Sequence, residues 1–325
     1  MIQISSYRKL IGIFLIISIC SCFQTGPLAA QNTATDKRQK KKKLPPPERV
    51  LLESKDGVEL RADWFAGVDG KETMPIILVH DWDGERRDLK AFAEKVRKEL
   101  SAAVIVPDLR GHGESTFVKG SEKELDRKRF KKTQMLTMAE DIDSCRRFLQ
   151  KKNDLGELNL DLLTVVVSGK NCVHAVNWCI SDWSWEPIGG IKQGQNVKAL
   201  VMVSPRKKFK SMSITAGLKT PLFTRRAGAL PVLVVWGEDD EISNKDGTTI
   251  HDGLKKSRRE PTEYESANER NKKQTVYQMV LPTDAVGADL INEKSNKMLS
   301  ATKAFFELTV LARKDDYAWQ SRSDK

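Results

Sequence analysis

The sequence has few of the residues that bind metals or staple small folds: four histidines and five cysteines in 325 residues, with no CxxC and no paired Cys/His ligand spacing. That excludes the common zinc modules and disulfide scaffolds, and nothing in the spacing implies a metal or a cofactor. Two of the cysteines, Cys20 and Cys22, sit near the N-terminus. The other three, Cys145, Cys172 and Cys179, cannot all pair with one another and are expected to be buried free thiols; Cys172 and Cys179 lie seven apart on a predicted helix. No internal repeat is visible. The apolar run Leu10 to Ile19 is too short to span a bilayer comfortably.

That run follows Tyr7-Arg8-Lys9 and precedes Leu28-Ala29-Ala30, and this order of basic, apolar and small residues predicts an export signal of residues 1–30 cleaved after Ala30. Cleavage would make the chain periplasmic or secreted; the alternatives are lipoprotein anchoring at Cys22 and an uncleaved N-terminal anchor. Residues 31–47 hold Lys37-Arg38-Gln39-Lys40-Lys41-Lys42-Lys43 and Pro45-Pro46-Pro47, which read as a disordered basic arm on a stiff spacer. Lys37 to Lys43 can touch anionic envelope components. Residues 1–47 carry eight Lys/Arg and one acid, so 47 of the 55 Lys/Arg and 43 of the 44 Asp/Glu lie downstream. The net charge of +11 therefore comes mostly from residues 1–47, and no nucleic-acid groove is predicted for the body.

The body alternates two kinds of segment. Val50 to Glu53 and Val58 to Phe65 flank Lys55-Asp56-Gly57, a hairpin signal. Short runs apolar on both faces follow at Pro75 to Val79, Ala103 to Val106, Leu163 to Val167, Ala199 to Val203, Val232 to Trp236 and Val276 to Val280. Such runs suit strands covered on both sides, as in a parallel sheet. Helical patterns lie between them at Leu89 to Leu100, Met138 to Leu149, Val173 to Ile180, Asp246 to Lys256 and Ala288 to Leu311. The alternation predicts one α/β domain over 48–313, a mostly parallel doubly wound sheet with an antiparallel N-terminal hairpin and helices on both faces, then a flexible tail at 314–325. Thr116 to Gln134 and Arg206 to Ala229 read as surface excursions, either of which could overhang a site at the carboxyl ends of the strands.

Two strings, joined by a short third, carry a resemblance. Ile76-Ile77-Leu78-Val79-His80-Asp81-Trp82-Asp83-Gly84 resembles the strand and oxyanion turn of the α/β hydrolases of esterase and lipase type. Val106-Pro107-Asp108-Leu109-Arg110-Gly111-His112-Gly113-Glu114-Ser115 resembles their Asp-x-Arg-Gly-x-Gly-x-Ser loop, and Gly237-Glu238-Asp239-Asp240 their acid-bearing turn. Together they cover most of Val50 to Leu311 and imply the α/β-hydrolase fold.

The resemblance also implies a site whose parts can be checked: a nucleophile on a tight elbow, a histidine base, an acid, and backbone amides for the oxyanion. The elbow falls within Ser168-Gly169-Lys170-Asn171-Cys172, and no Gly-x-Ser-x-Gly is there. Ser168 as nucleophile has bulky flanks in Val166 and Lys170; Lys170 at the centre has small flanks; the usual helix spacing favours Gly169. The histidine belongs in Leu281 to Gly287, which contains none. His80 and His112 belong to the two loop motifs, while His174 and His251 fall on predicted helices. Asp240, with Asp239 as the second choice, stands at the acid position. His80, Asp81 and Trp82 form the oxyanion loop, where Asp81 replaces a glycine and its charge opposes an oxyanion. These degenerate motifs imply a catalytically impaired or non-catalytic protein that binds a small molecule or partner in the residual cleft. The alternatives are an active exported serine hydrolase with an atypical elbow, and a surface interaction protein using Arg206-Lys207-Lys208.

Overall fold

The computed structural model describes residues 43–122, 124–225, 228–258, 266 and 274–323. The expected signal segment, the anchoring alternative at Cys22 and the basic stretch up to Lys42 lie outside them.

Among the described residues, β1 (Glu48–Glu53) and β2 (Val58–Phe65) form the expected antiparallel hairpin. Then follow β3 (Pro75–Val79), α1 (Lys90–Leu100), β4 (Ala103–Pro107), the short β5 (Phe117–Val118), α2 (Lys132–Thr137), α3 (Ala139–Asp154), β6 (Leu163–Ser168) and α4 (Cys172–Ser184). The second half holds β7 (Val197–Val203), β8 (Lys208–Phe209), β9 (Met212–Ser213), α5 (Ile214–Leu218), α6 (Pro221–Thr224), β10 (Val232–Gly237), α7 (Glu241–Ser257), β11 (Val276–Leu281), α8 (Gly287–Ile291) and α9 (Lys297–Thr309).

The main sheet runs β1-β2-β4-β3-β6-β7-β10-β11, with β5 paired to β2. From β4 to β11 every neighbour is parallel. Successive residues of a strand point to opposite faces, so an unbroken apolar run feeds two cores. Ile77 and Val79 pack with α3 and α4, whereas Ile76 and Leu78 pack with α1 and α9. The carboxyl ends of β3, β4, β6, β7, β10 and β11 therefore open on one edge, where the loop motifs gather.

Two expectations are corrected. The helical pattern Ala288 to Leu311 is broken into α8 and α9, because Asn296 takes a left-handed φ of 57° and starts a new helix. The tail read as flexible is pinned as far as Arg322. Its guanidinium donates to Asp161 at 2.7 Å, and Asn153 and Asn159 donate to the Gln320 and Tyr317 carbonyls at 2.9 and 2.8 Å. The three described cysteines are free and buried.

Candidate functional site

β6 turns into α4 through a single tight 3-10 turn at Gly169–Asn171, and the residue that bears the left-handed backbone is Gly169, at φ 60°. A side chain at a tight strand-to-helix turn is thrown outward only from the residue with that conformation, which disfavours all but glycine unless the surroundings enforce it. Gly169 is thus the centre of the elbow, and it has no side chain to offer.

The other two elbow candidates are corrected. Ser168 ends β6 completely buried, its hydroxyl donating to the Val79 carbonyl at 3.4 Å, so it faces β3 rather than the strand ends. Lys170 comes one residue after the centre; its ammonium is committed to Asp83 at 2.5 Å, and only its backbone N–H points inward. Asn171 ties the elbow to the loop after β3 by donating to the His80 carbonyl at 2.8 Å.

The inward amide meets Asp81. One carboxylate oxygen, Oδ1, accepts from Lys170 N–H at 2.7 Å and from Trp82 N–H at 2.6 Å. These are the amide after the elbow centre and an amide of the loop after β3, the pair that the hydrolase pattern uses for an oxyanion. The expected conflict between Asp81 and an oxyanion is therefore taken further: the carboxylate occupies the donors itself. A Cβ placed on Gly169 would lie 2.0 Å from Asp81 Cγ and 2.1 Å from each carboxylate oxygen. Burial raises the Asp81 pKa, and the two amides and the Lys170 charge offset this only in part, so the carboxyl titrates above its usual range.

A third backbone segment closes on the same carboxylate. Gly287, at φ 57°, heads α8 immediately after the loop that lacks a histidine, and a Cβ there would come within 3.5 Å of Asp81 Oδ2. Its N–H donates to Ser204 Oγ at 3.3 Å. Ser204 ends the strand edge at β7 with its own left-handed φ of 46°. The loop composition Leu281 to Gly287 carried the missing histidine as a signal; nothing in it marked Gly287 as the residue that reaches Asp81.

The loop motifs hold this arrangement rigidly. Arg86, its side chain 1 % exposed, pairs with Asp108 and Asp63, and reaches Glu114 at 2.9 Å. Arg110 is shared between Asp141 and Asp56 at 2.7 and 2.5 Å. His80 Nε2 accepts from Leu109 N–H at 3.1 Å, and His112 contacts the Arg110 and Trp82 carbonyls, both at 2.9 Å. Burial lowers the pKa of His80 to about 4, leaving a neutral ring that donates from Nδ1 to the Asp81 carbonyl and accepts at Nε2; it lowers that of His112 to about 3, where a neutral ring can donate to only one of its two carbonyl neighbours.

The remaining histidines do not complete a triad. His174 is fully buried with neither ring nitrogen bonded, and burial lowers its pKa to about 3. His251 lies on α7 beside Trp236 and bonds Asp252 at 2.9 Å. Asp240 caps α7, accepting from Ser243 N–H at 2.6 Å, and faces Arg206 at 3.5 Å. Partial burial raises its pKa, but the Ser243 bond and the Arg206 charge outweigh this and the net shift is downward. Among the described residues no histidine bonds to Asp240, and no group of three or more His, Cys, Asp or Glu is placed to hold a metal ion.

Both excursions reach over the site. The Trp82 ring, 6 % exposed, meets Phe130 edge-on at 6.3 Å and Phe209 at 4.7 Å, with Lys210 Nζ 4.6 Å above it.

A doubly wound sheet in this strand order, with a strand-to-helix elbow after β6 and two amides converging beside it, defines the α/β-hydrolase fold. Solved structures agree on that fold. An esterase of Pyrobaculum calidifontis matches with a TM-score of 0.54 at 11 % identity, covering 83 % of this chain and 85 % of its own. An esterase of Pyrococcus furiosus matches with 0.55 at 13 % identity, covering 82 % and 92 %, and a dienelactone hydrolase of Anabaena variabilis with 0.54 at 13 %, covering 82 % and 97 %. No family model and no curated protein matches the sequence. This chain has the α/β-hydrolase fold.

Proposed function

We propose that this protein is a non-catalytic α/β-hydrolase-fold protein that is exported and acts by binding a partner at the carboxyl ends of its strands. The observation that carries the reading is the Asp81 carboxylate seated on the Lys170 and Trp82 amides above Gly169. Acyl transfer needs a nucleophile, a base and vacant donors for the developing oxyanion. At this elbow the first position is glycine, the loop that would carry the second holds none, and the donors are taken. Without nucleophile and base, little beyond binding and residual oxyanion effects is left to accelerate a reaction. Export is supported by the order of segments in residues 1–30 alone.

Purified protein treated with a fluorophosphonate probe should remain unlabelled, and p-nitrophenyl acetate should be hydrolysed no faster than by serum albumin. Labelling or turnover abolished by Ser168→Ala would overturn the reading. N-terminal sequencing of the mature chain should begin at Gln31; a chain beginning at Met1 would remove the export step.

A further inference from the structure

The two excursions that meet on Trp82 each carry a dense basic string. Arg127-Lys128-Arg129-Phe130-Lys131-Lys132 places five cations around one phenylalanine, and Arg206-Lys207-Lys208-Phe209-Lys210 places four around another. Phe130 and Phe209, 7 % and 9 % exposed, are the anchors: both turn inward onto the Trp82 ring. Around the buried rings Lys128, Lys131, Lys132 and Lys208 are exposed, while the Lys210 ammonium folds back over Trp82. The strings also touch directly, since Lys210 Nζ donates to the Arg127 carbonyl at 3.4 Å.

The charge of this collar is largely uncompensated. Arg129 pairs with Asp126 at 3.4 Å, Arg206 with Asp240 at 3.5 Å and Lys170 with Asp83 at 2.5 Å. Lys128, Lys131, Lys132, Lys208 and Lys210 are exposed, and among the described residues none of their ammonium groups has a carboxylate within ion-pair distance. The folded body is nearly balanced in charge, so five lysines without a carboxylate partner on two touching excursions are a local concentration of charge. An apolar contact lies beside them: Leu136, 51 % exposed, is one helical turn from Lys132 on α2 and shares its face.

We infer that this collar, Arg127 to Lys132 together with Arg206 to Lys210, is a docking face for an anionic phospholipid surface. Clustered lysines beside an exposed leucine fit a charged headgroup layer with an apolar boundary beneath it. The basic stretch Lys37 to Lys43, which cleavage after Ala30 would leave on the chain, gives it a second element of matching preference. The inference deepens the proposed binding role and rests on it for its purpose, although not for its geometry.

Sedimentation of the full chain with vesicles tests it, using phosphatidylcholine alone and with one third phosphatidylglycerol. The expected result is salt-sensitive binding to the anionic vesicles only. Lys131→Glu/Lys132→Glu/Lys208→Glu should weaken it by more than ~10-fold, with an unchanged thermal midpoint. Deletion of residues 37–43 in the same assay separates the arm from the collar. Unchanged binding in the triple variant, with loss only on deleting the arm, would overturn the inference. So would tighter binding to duplex DNA than to anionic vesicles. Fluorophosphonate labelling, by contrast, would overturn the non-catalytic reading and leave the collar intact.

Discussion

Asp81 and Gly169 exclude each other's side chains: the carboxyl carbon of Asp81 lies 2.0 Å from where a Cβ on Gly169 would stand. A nucleophile at the elbow and a carboxylate on the oxyanion amides cannot both be built into this fold. The glycine is therefore needed by its neighbour as well as by its own φ of 60°.

Gly169→Ala should accordingly destabilise the fold by about 2–5 kcal/mol, combining the left-handed backbone penalty with a clash that forces Asp81 aside. In an Asp81→Gly background the same change should cost about 1–3 kcal/mol less, because only the backbone penalty remains. Urea melts of the four proteins check this. Equal cost in both backgrounds would mean that the two positions do not interact.

Asp81→Ala leaves the Lys170 and Trp82 amides facing an empty space of carboxylate size. Two convergent N–H groups without a partner are a small-anion site. Formate or acetate should then raise the thermal midpoint of Asp81→Ala in proportion to the logarithm of its concentration, while the parent protein should not respond beyond the effect of ionic strength. An identical response in both proteins would show that the carboxylate does not hold the amides in solution.

How far this arrangement could be read from residues alone differs from part to part. Apolar runs on both faces foretold the parallel strands, because burial on two sides leaves no polar alternation to confuse them. The elbow kept three registers open, since which of Ser168, Gly169 and Lys170 takes the left-handed backbone depends on how β6 enters α4. Asp81 was visible as a wrong charge, but its seat on two amides depends on a contact across 89 residues. The C-terminal segment misled for the same reason: its charged composition reads as loose, yet Arg322 finds Asp161 across 161 residues.

That C-terminal clamp makes an asymmetric prediction. Asp161 receives Lys192 and Arg322 and lies 3.8 Å from Lys198, whose pKa burial lowers to about 7, so one buried carboxylate serves two cations and a third amine that is partly neutral at pH 7. Asp161→Ala removes the carboxylate from all three, leaving Arg322 and Lys198 only the Lys192 and Gln195 carbonyls, and should cost about 3–5 kcal/mol. Arg322→Met leaves Asp161 paired with Lys192 and should cost clearly less. Thermal or urea denaturation decides it; a larger loss for Arg322→Met would mean that packing of the tail, rather than charge, is what holds it.

Acid should loosen the fold from an unusually high pH. Burial holds His80 at a pKa of about 4, and His112 and His174 at about 3, against 6.5 in an unfolded chain. Between those limits the unfolded state binds more protons than the folded one, so stability is full above pH 6.5 and falls as pH drops toward 4. Unfolded carboxylates titrate lower, which leaves the window from pH 6.5 to 5 mainly to the histidines. Asp81, Asp141 and Asp182, whose carboxyls burial raises, act in the opposite sense and reduce the net slope. Urea melts across this window should give an uptake of about one to three protons on unfolding. His174 supplies the control because neither of its nitrogens has a bond to lose. His174→Leu should be neutral or stabilising at pH 7, since it removes a buried unsatisfied polar group, and should lower the uptake by about one proton. A variant that loses stability at pH 7 and keeps the full slope would show that His174 is bonded in solution and titrates near its ordinary value.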